Sequence, residues 1–477
     1  MSVATPTDRR RFVLGALAAA SLLGMRRPRQ VGRISRWPWP LDLDGDGLIS
    51  SADRALLTRL SIARDPSRGS RLRPREGWDP RLDFLARGRL AADQLQRYDA
   101  ARPALGTHLP PRPIVVCWHY GWYGPGRRRR EPTTVRYLGR NYMSRDRRTE
   151  EEFNALKEEF GISAELLSWT DERSLLQAYE RAYLNASNHD RRKFGLLYES
   201  NISLGTTNRI DLAPEGAAAE RLVRDFRRMG SWLAAADSAR LLRFDGRPVV
   251  FVFGSHTFGP TRADLPHVGR ALERARSAFT ESFGTPPWMI GDEALFPADP
   301  EAGHDRLFRA AYFDAVSRYH HYDTRQITAL GKGRSVRLDT AHLRRLVANE
   351  ARTMAAYHAV RNRYTGRPLL VIPSSAAGFA KARLPTLVAS RDDYAALLAA
   401  MQELTDDHVS RLHAESVGTA VLPAPLVIAG SWNEEFEGHA LMPAASSRAL
   451  LNERHGGFDW LYALKSIYGW NSWAGRS

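Results

Sequence analysis

The sequence predicts an α/β protein: a (β/α)8 TIM barrel with a small α-helical, EF-hand/dockerin-like N-terminal module. Three observations carry that prediction. From residue 112 onward, short apolar runs alternate with longer stretches of helical composition. The apolar runs show little polar alternation, as expected of strands buried on both faces in a parallel sheet covered by helices. Upstream, a short acidic stretch has the spacing of a calcium loop, set apart from the barrel region by its composition.

Residues 1–30 read as an export signal. Asp8, Arg9, Arg10, Arg11 and Phe12 precede an Ala-rich apolar run over 15–24, and a basic region before a short apolar one is the pattern of an exported chain. The adjacent arginines followed by Arg11 and Phe12 resemble a twin-arginine signal, with Asp8 where Ser or Thr is usual. The apolar run is short for a bilayer span, so export to the periplasm, cell surface or medium is expected, not anchoring. No clean Ala-x-Ala site follows, and no later segment is long and apolar enough to cross a membrane.

Residues 41–105 form the predicted module. Asp42, Asp44 and Asp46 stand at loop positions 1, 3 and 5, Gly47 at 6, Leu48 at 7, Ile49 at 8, Ser50 at 9 and Asp53 at 12. Alternating oxygen donors around a sharp Gly turn wrap a hard cation, so Asp42, Asp44, Asp46, the Leu48 carbonyl, Ser50 and Asp53 are the expected ligands of a structural Ca2+. The closing Asp53 and the helix-forming run after it resemble a dockerin repeat. A second stretch, 83–93, keeps Gly88 and Leu90 but has Leu85 and Arg87 at carboxylate positions. It should hold no calcium, and cohesin docking is not expected.

Within 112–477, strands are predicted at 114–120, 162–169, 194–200, 248–253, 288–291, 313–319, 369–373 and 426–432. Helices are predicted at 150–160, 173–183, 217–236, 262–283, 342–363, 394–415 and 449–468. Strand–helix alternation of this length fits a barrel with enlarged loops. An open doubly wound sheet is the alternative, but no Gly-rich phosphate loop follows any of these strands.

Composition narrows the function. Hydrophobic residues make up 43% and charged residues 26% of the 477 residues, as in soluble globular proteins. The net charge of +16 comes mostly from arginine. An Arg-favouring codon usage accounts for it better than nucleic-acid binding, since no basic helix interleaved with aromatics appears. The single cysteine, Cys117, lies in an apolar run and reads as a packing residue. His119, His256, His320 and His321 lack zinc-motif spacing, and no Gly-x-Ser-x-Gly elbow supports a serine hydrolase.

The predicted strand tips carry a consistent chemistry. The first ends in Trp118, His119, Tyr120, Gly121, Trp122 and Tyr123; the second in Ser168 and Trp169; the third in Tyr198 and Glu199. Tyr319 closes the sixth, and the last delivers Trp432, Asn433, Glu434, Glu435, Phe436, Glu437 and Gly438. Aromatic rings with polar edges stack on sugar C–H faces while carboxylates and amides bind hydroxyls. Glycoside cleavage also needs two carboxyl groups at one bond.

At these residues the chain resembles glycoside hydrolase family 99, the endo-α-mannosidase-like barrels. The resemblance implies that Glu437 is the acid/base and that Glu434 assists the sugar 2-hydroxyl in attacking its own anomeric carbon. It further implies that Glu199 binds substrate, beside His119, Tyr120, Trp122, Tyr123, Trp169, Tyr319, Trp432 and Asn433. Glu435 and Phe436 replace the Trp and His usual between the two acids, a change that bears on the substrate. The expectation is an exported glycoside hydrolase cleaving an α-linked, mannan-like glycan with retention of configuration and without a catalytic cofactor. The alternatives are a non-catalytic carbohydrate-binding or cell-surface interaction protein on the same barrel, or a protein of polysaccharide biosynthesis.

Overall fold

The computed structural model describes residues 114–123, 136–137, 142–188, 192–205, 209–259, 261–294, 300–319, 335–337, 340–379, 386–389, 391–415, 426–434, 440–442, 444–445 and 459–468. The leader and the calcium-loop module lie outside the described residues. Eight strands and eight main helices alternate. They are β1 (Ile114–His119), α1 (Arg147–Glu159), β2 (Ala164–Trp169), α2 (Arg173–Ala178, prolonged by a π-helical turn at Tyr179–Tyr183), β3 (Lys193–Glu199) and α3 (Ala217–Ala234). Then come β4 (Arg247–Phe253), α4 (Leu265–Phe283), β5 (Trp288–Asp292), α5 (Pro300–Ala310), β6 (Ala315–Ser317) and α6 (Thr340–His358). The last pairs are β7 (Leu370–Val371), α7 (Arg391–Glu415), β8 (Leu426–Ser431) and α8 (Asp459–Tyr468).

The strands are hydrogen-bonded in the order β7-β6-β5-β4-β3-β2-β1-β8, and each pairing along this path is parallel. Just past β7 the chain crosses to β8. Ile428 N–H donates to the Pro373 carbonyl at 3.0 Å, and Ser375 N–H donates to the Ile428 carbonyl at 2.7 Å. That bridge between Ser374 and Ile428 closes the ring. The architecture is a (β/α)8 barrel.

Both faces of each strand are buried, which is why the apolar runs are continuous. Trp118, Leu166, Leu197, Phe251, Ile290 and Ile428 belong to one cluster, the barrel interior. Their alternates Leu167, Leu196, Val252 and Met289 pack instead with Phe226 of α3 and Leu272 of α4. Local signals set the helix ends. Asp146 caps α1 by accepting from Arg148 N–H at 3.1 Å and the Thr149 hydroxyl at 2.7 Å, as a Ser/Asp N-cap should. Gly284, at φ 97°, ends α4 in the left-handed region. Asp245 and Gly246, both at positive φ, make the tight turn between Arg243–Phe244 and β4.

Three regions depart from expectation, the first being β7, which is confined to Leu370–Val371 of the expected 369–373. Helix α5 was not foreseen: Pro300 opens it at the first helical position, where proline is accommodated but interrupts the sequence pattern, and Gly303 in the first turn lowers helical propensity. Strand β6 is shorter than the predicted 313–319. Asp314 is drawn out of the ladder to accept from Arg247 at 2.8 Å, Arg276 at 3.3 Å and Met289 N–H at 2.9 Å.

Gly195 stands where β3 meets its neighbours inside the barrel. A Cβ there would lie 2.6 Å from the Val249 carbonyl oxygen and 2.9 Å from a Leu166 methyl. Backbone cannot give way cheaply, so Gly195→Ala should destabilise the fold by roughly 1–3 kcal/mol. Urea denaturation checks this, with the midpoint moving down and the slope unchanged.

Candidate active site

Side chains on the inner face of the strands converge at the C-terminal end of the barrel. Tyr120, one residue past β1, keeps the inward parity of Val116 and Trp118. Its hydroxyl lies 2.6 Å from that of Tyr319, just past β6. These strands are separated by β8 and β7 around the ring, so the phenol pair spans the mouth. Trp118 stacks on Tyr319 with centroids 5.7 Å apart, and its indole N–H donates to the Tyr319 carbonyl at 3.3 Å. Phe253 meets Tyr319 edge-on at 4.8 Å, and Trp122 packs on Tyr120 at 4.4 Å. The result is an aromatic floor with polar edges.

Carboxylates stand around that floor. Glu199, at the tip of β3 and 5% exposed, accepts from the Ser168 hydroxyl at 2.8 Å. Asp292, at the tip of β5 and 2% exposed, accepts from Gly254 N–H at 2.9 Å and Tyr319 N–H at 3.1 Å. His256, on the turn after β4, places Nδ1 3.5 Å from Asp292 Oδ2. Burial alone would raise the Asp292 pKa. The hydrogen bond and charge of His256, together with the two backbone donors, outweigh it and hold the carboxyl below its ordinary range. For His256, burial opposes the charged form, but the bond to Asp292 and its charge overcome this and raise the imidazole pKa. Neither residue was among the expected site residues. The carboxylates of Asp292 and Glu293, one glycine after the apolar Trp288, Met289 and Ile290, were the available signal.

The tip of β8 is built by Asn433. Its Oδ1 accepts from Tyr120 N–H at 2.8 Å, and its Nδ2 donates to the Tyr120 carbonyl at 2.8 Å and to the Tyr142 hydroxyl at 3.2 Å. A side-chain amide thereby prolongs the β8–β1 pairing beyond the strand. Tyr123 donates its hydroxyl to the Asn433 carbonyl at 2.7 Å. The turn is closed by Glu434 N–H, which donates to Ser431 Oγ at 3.0 Å. Glu434 is 5% exposed; Glu437 lies outside the described residues.

Three expected substrate-binding residues are not brought to this mouth. His119, Trp169 and Trp432 pack toward the helix layer, because strand side chains alternate and these have the outward parity or follow the bend after β8. Trp169 packs in the outer core beside Tyr198. Trp432 meets Phe153 of α1 edge-on at 5.3 Å, with Lys157 Nζ 4.8 Å above its ring.

His119 enters a buried ionic cluster. Its Nδ1 lies 3.2 Å from Glu165 and 3.1 Å from Lys157 Nζ, and its Nε2 lies 3.4 Å from Glu150. Glu165 also pairs with Lys157 at 2.9 Å and Arg192 at 3.2 Å. Burial and Lys157 both work against a charged His119; Glu150 and Glu165 outweigh them and raise its pKa. Burial likewise opposes the Glu165 carboxylate, but Lys157, His119 and Arg192 hold it well below the ordinary range.

Among the described residues, no group of three His, Cys, Asp or Glu side chains could hold a metal ion, and no helix is long and apolar enough to cross a membrane. The Asp42–Asp53 loop lies outside the described residues.

No protein-family model matches the sequence, and no curated protein matches it either. Among solved structures, a glycoside hydrolase-like protein superposes with a TM-score of 0.51 at 12% identity, covering 74% of this chain and 93% of its own. The family 99 endo-α-mannosidase of Bacteroides thetaiotaomicron, in complex with bis-tris-propane, gives 0.44 at 16% identity, covering 75% and 95%. A family 5 glycoside hydrolase from Prevotella bryantii gives 0.39 at 10%, covering 66% and 85%. At such identities the likeness is one of fold alone, and the first of these carries it: the chain shares the α/β barrel of that structure.

Removing one partner of a buried ion cluster leaves uncompensated charge. Glu165→Gln should therefore cost about 3–5 kcal/mol, read by chemical denaturation at neutral pH. The pH dependence follows from the signs. Glu165, depressed in the fold, stabilises above its unfolded pKa, and that contribution disappears as pH falls through the folded value. His119, raised in the fold, stabilises below its unfolded pKa and loses this as pH rises through the folded value. The variant should lose the Glu165 limb on the acid side.

Proposed function

We propose that this protein is an exported glycoside hydrolase whose barrel mouth cleaves an α-linked, mannan-like glycan with retention of configuration. One observation carries the proposal. The Tyr120–Tyr319 aromatic floor sits among almost fully buried carboxylates at the tips of β3 and β5 and just past β8. Stacking surface and hydroxyl-binding acids at one end of the barrel suit a carbohydrate, and the C-terminal end of such a barrel is where its chemistry is placed.

The acids divide by role. Asp292, held ionised by His256 and two backbone donors, is an acceptor and a poor proton donor. Glu199, tied to Ser168, suits hydroxyl binding. Proton donation and assistance at the 2-hydroxyl fall to Glu437 and Glu434, a division supported by the Asn-Glu-x-x-Glu-Gly resemblance and by the position of Glu434 after β8. The donor needs a pKa raised by burial or a neighbouring carboxylate.

A second reading, a carbohydrate-binding barrel without catalysis, is favoured by how firmly Glu199 and Asp292 are fixed as acceptors. Kinetics separate the two. Glu437→Gln should lower turnover of natural glycosides about 10²–10⁴-fold, and less for substrates whose leaving group needs no proton. Glu434→Gln should impair both kinds, and NMR of the first product should show the retained anomer. Undiminished turnover in the double variant overturns the assigned roles; glycan binding without turnover in the wild type establishes the second reading.

The N-terminal module belongs to the same proposal. The carboxylates of Asp42, Asp44, Asp46 and Asp53, with Ser50 and the Leu48 carbonyl, form a hard-oxygen donor set suited to Ca2+, and the twin-arginine-type leader directs the protein out of the cytoplasm. Isothermal titration should find one calcium per chain, with Kd of roughly 10⁻⁴–10⁻³ M as in extracellular modules. Two sites would contradict the degenerate reading of 83–93.

A further inference from the structure

The strand order places β4 across the ring from β8, and the turn after β4 presents an imidazole that the β8 carboxylates do not account for. Gly254, at φ 67°, turns the chain left-handed, and a Cβ there would meet Asn201 Oδ1 at 2.6 Å. The Ser255–Thr257 turn that follows carries His256 over the tip of β5. Its Nδ1 lies 3.0 Å from the Asp292 carbonyl oxygen and 3.5 Å from Asp292 Oδ2. Both are acceptors, so Nδ1 carries the hydrogen, and in the neutral ring Nε2 is a bare lone pair. A serine-protease Asp holds its histidine in the base tautomer by the same logic. The side chain is 30% exposed, against 2% for Asp292, and Nε2 has no hydrogen-bond partner among the described residues.

We propose that His256 is a substrate-contacting base of the barrel mouth, whose Nε2 accepts a hydrogen bond from a hydroxyl of an uncharged sugar. The proposal rests on the carbohydrate reading of the mouth given above. Among the described residues, the charge around the ring selects against anions. Glu199, Asp292 and Glu434 are carboxylates, while Arg318, beside Tyr319, is buried and paired with Glu350.

The groups facing His256 are Asp292 and Glu293 from the end of β5 and Arg306 from α5; Arg309 of α5 is occupied by Glu293 at 3.1 Å. Burial works against the charged ring, but the hydrogen bond and charge of Asp292, with Glu293, outweigh it and raise the imidazole pKa. The lone pair therefore becomes available as pH rises through that raised value, and sugar affinity should rise with it. No bond to carbon changes at His256: the hydroxyl hydrogen is shared with Nε2 and any positive charge is balanced by Asp292.

The test uses the full-length chain. Long-range ¹H–¹⁵N correlation spectra of histidine-labelled protein, assigned with H256Q, should show hydrogen on Nδ1 and an elevated titration midpoint. Calorimetry with a panel of neutral α-linked gluco- and manno-oligosaccharides should show wild-type affinity rising from pH 6 to pH 8. H256Q, with its thermal unfolding unchanged, should bind about tenfold more weakly at pH 8 and without pH dependence, the loss expected of one hydrogen bond. A neutral ring with hydrogen on Nε2, or equal affinity in H256Q, overturns the inference and leaves the carbohydrate reading standing. Tighter binding of uronate-bearing oligosaccharides than of neutral ones also overturns it. Binding of no glycan by the wild type overturns both.

Discussion

Strand side chains alternate between the two faces of the barrel wall, and that alternation sorts the polar residues of this protein into two populations. Inward parity at the strand tips sends Tyr120, Glu199 and Asp292 to the mouth. Outward parity sends His119 and Glu165, one strand apart, into the layer beneath α1. The same residue types therefore do different work on the two faces of one wall. Polar groups under α1 have no water to meet, so they must satisfy one another, and Glu150, Lys157 and Arg192 complete the set.

The two populations meet at the junction of β8 and β1. Gly430, at φ 84°, and a shift of register between Val116 and Trp118 bend the end of β8. Trp432 then turns outward beneath Lys157, while Asn433 is stitched to the backbone of Tyr120. Glu434 inherits its place from both contacts. The ionic cluster thus meets the chain two residues before Glu434, where Lys157, paired with Glu165, also lies over the Trp432 ring.

Electrostatics at the mouth are arranged by backbone as much as by side chains. Gly254 and Tyr319 each give an N–H to Asp292, which keeps it ionised, and Asp292 in turn orients His256. A carboxylate committed to these donors holds neighbouring strand ends together and orients a histidine whose Nε2 has no hydrogen-bond partner among the described residues. Tyr319 links this corner to the other side of the mouth through its hydroxyl contact with Tyr120.

The barrel was legible in the sequence because burying both faces of a strand requires a continuous apolar run, as in Val249–Val252 or Leu426–Ile428, and such runs survive inspection without coordinates. Amphipathic helices between them were legible for the same reason, apart from α5, where Pro300 and Gly303 obscure the pattern. The aromatic and acidic character of the strand tips was also evident from residue order. Residue order did not show which way a tip residue faces once the strand ends. Trp432 and Asn433 lie beyond the last regular pairing, and a glycine at positive φ redirects them. Nor could it show that Asp292 and His256, 36 residues apart, share a hydrogen-bonding corner. Periodicity is a local property that the chain carries in itself; the pairing of charges across strands arises only when the ring closes and fixes which neighbours each buried group must answer.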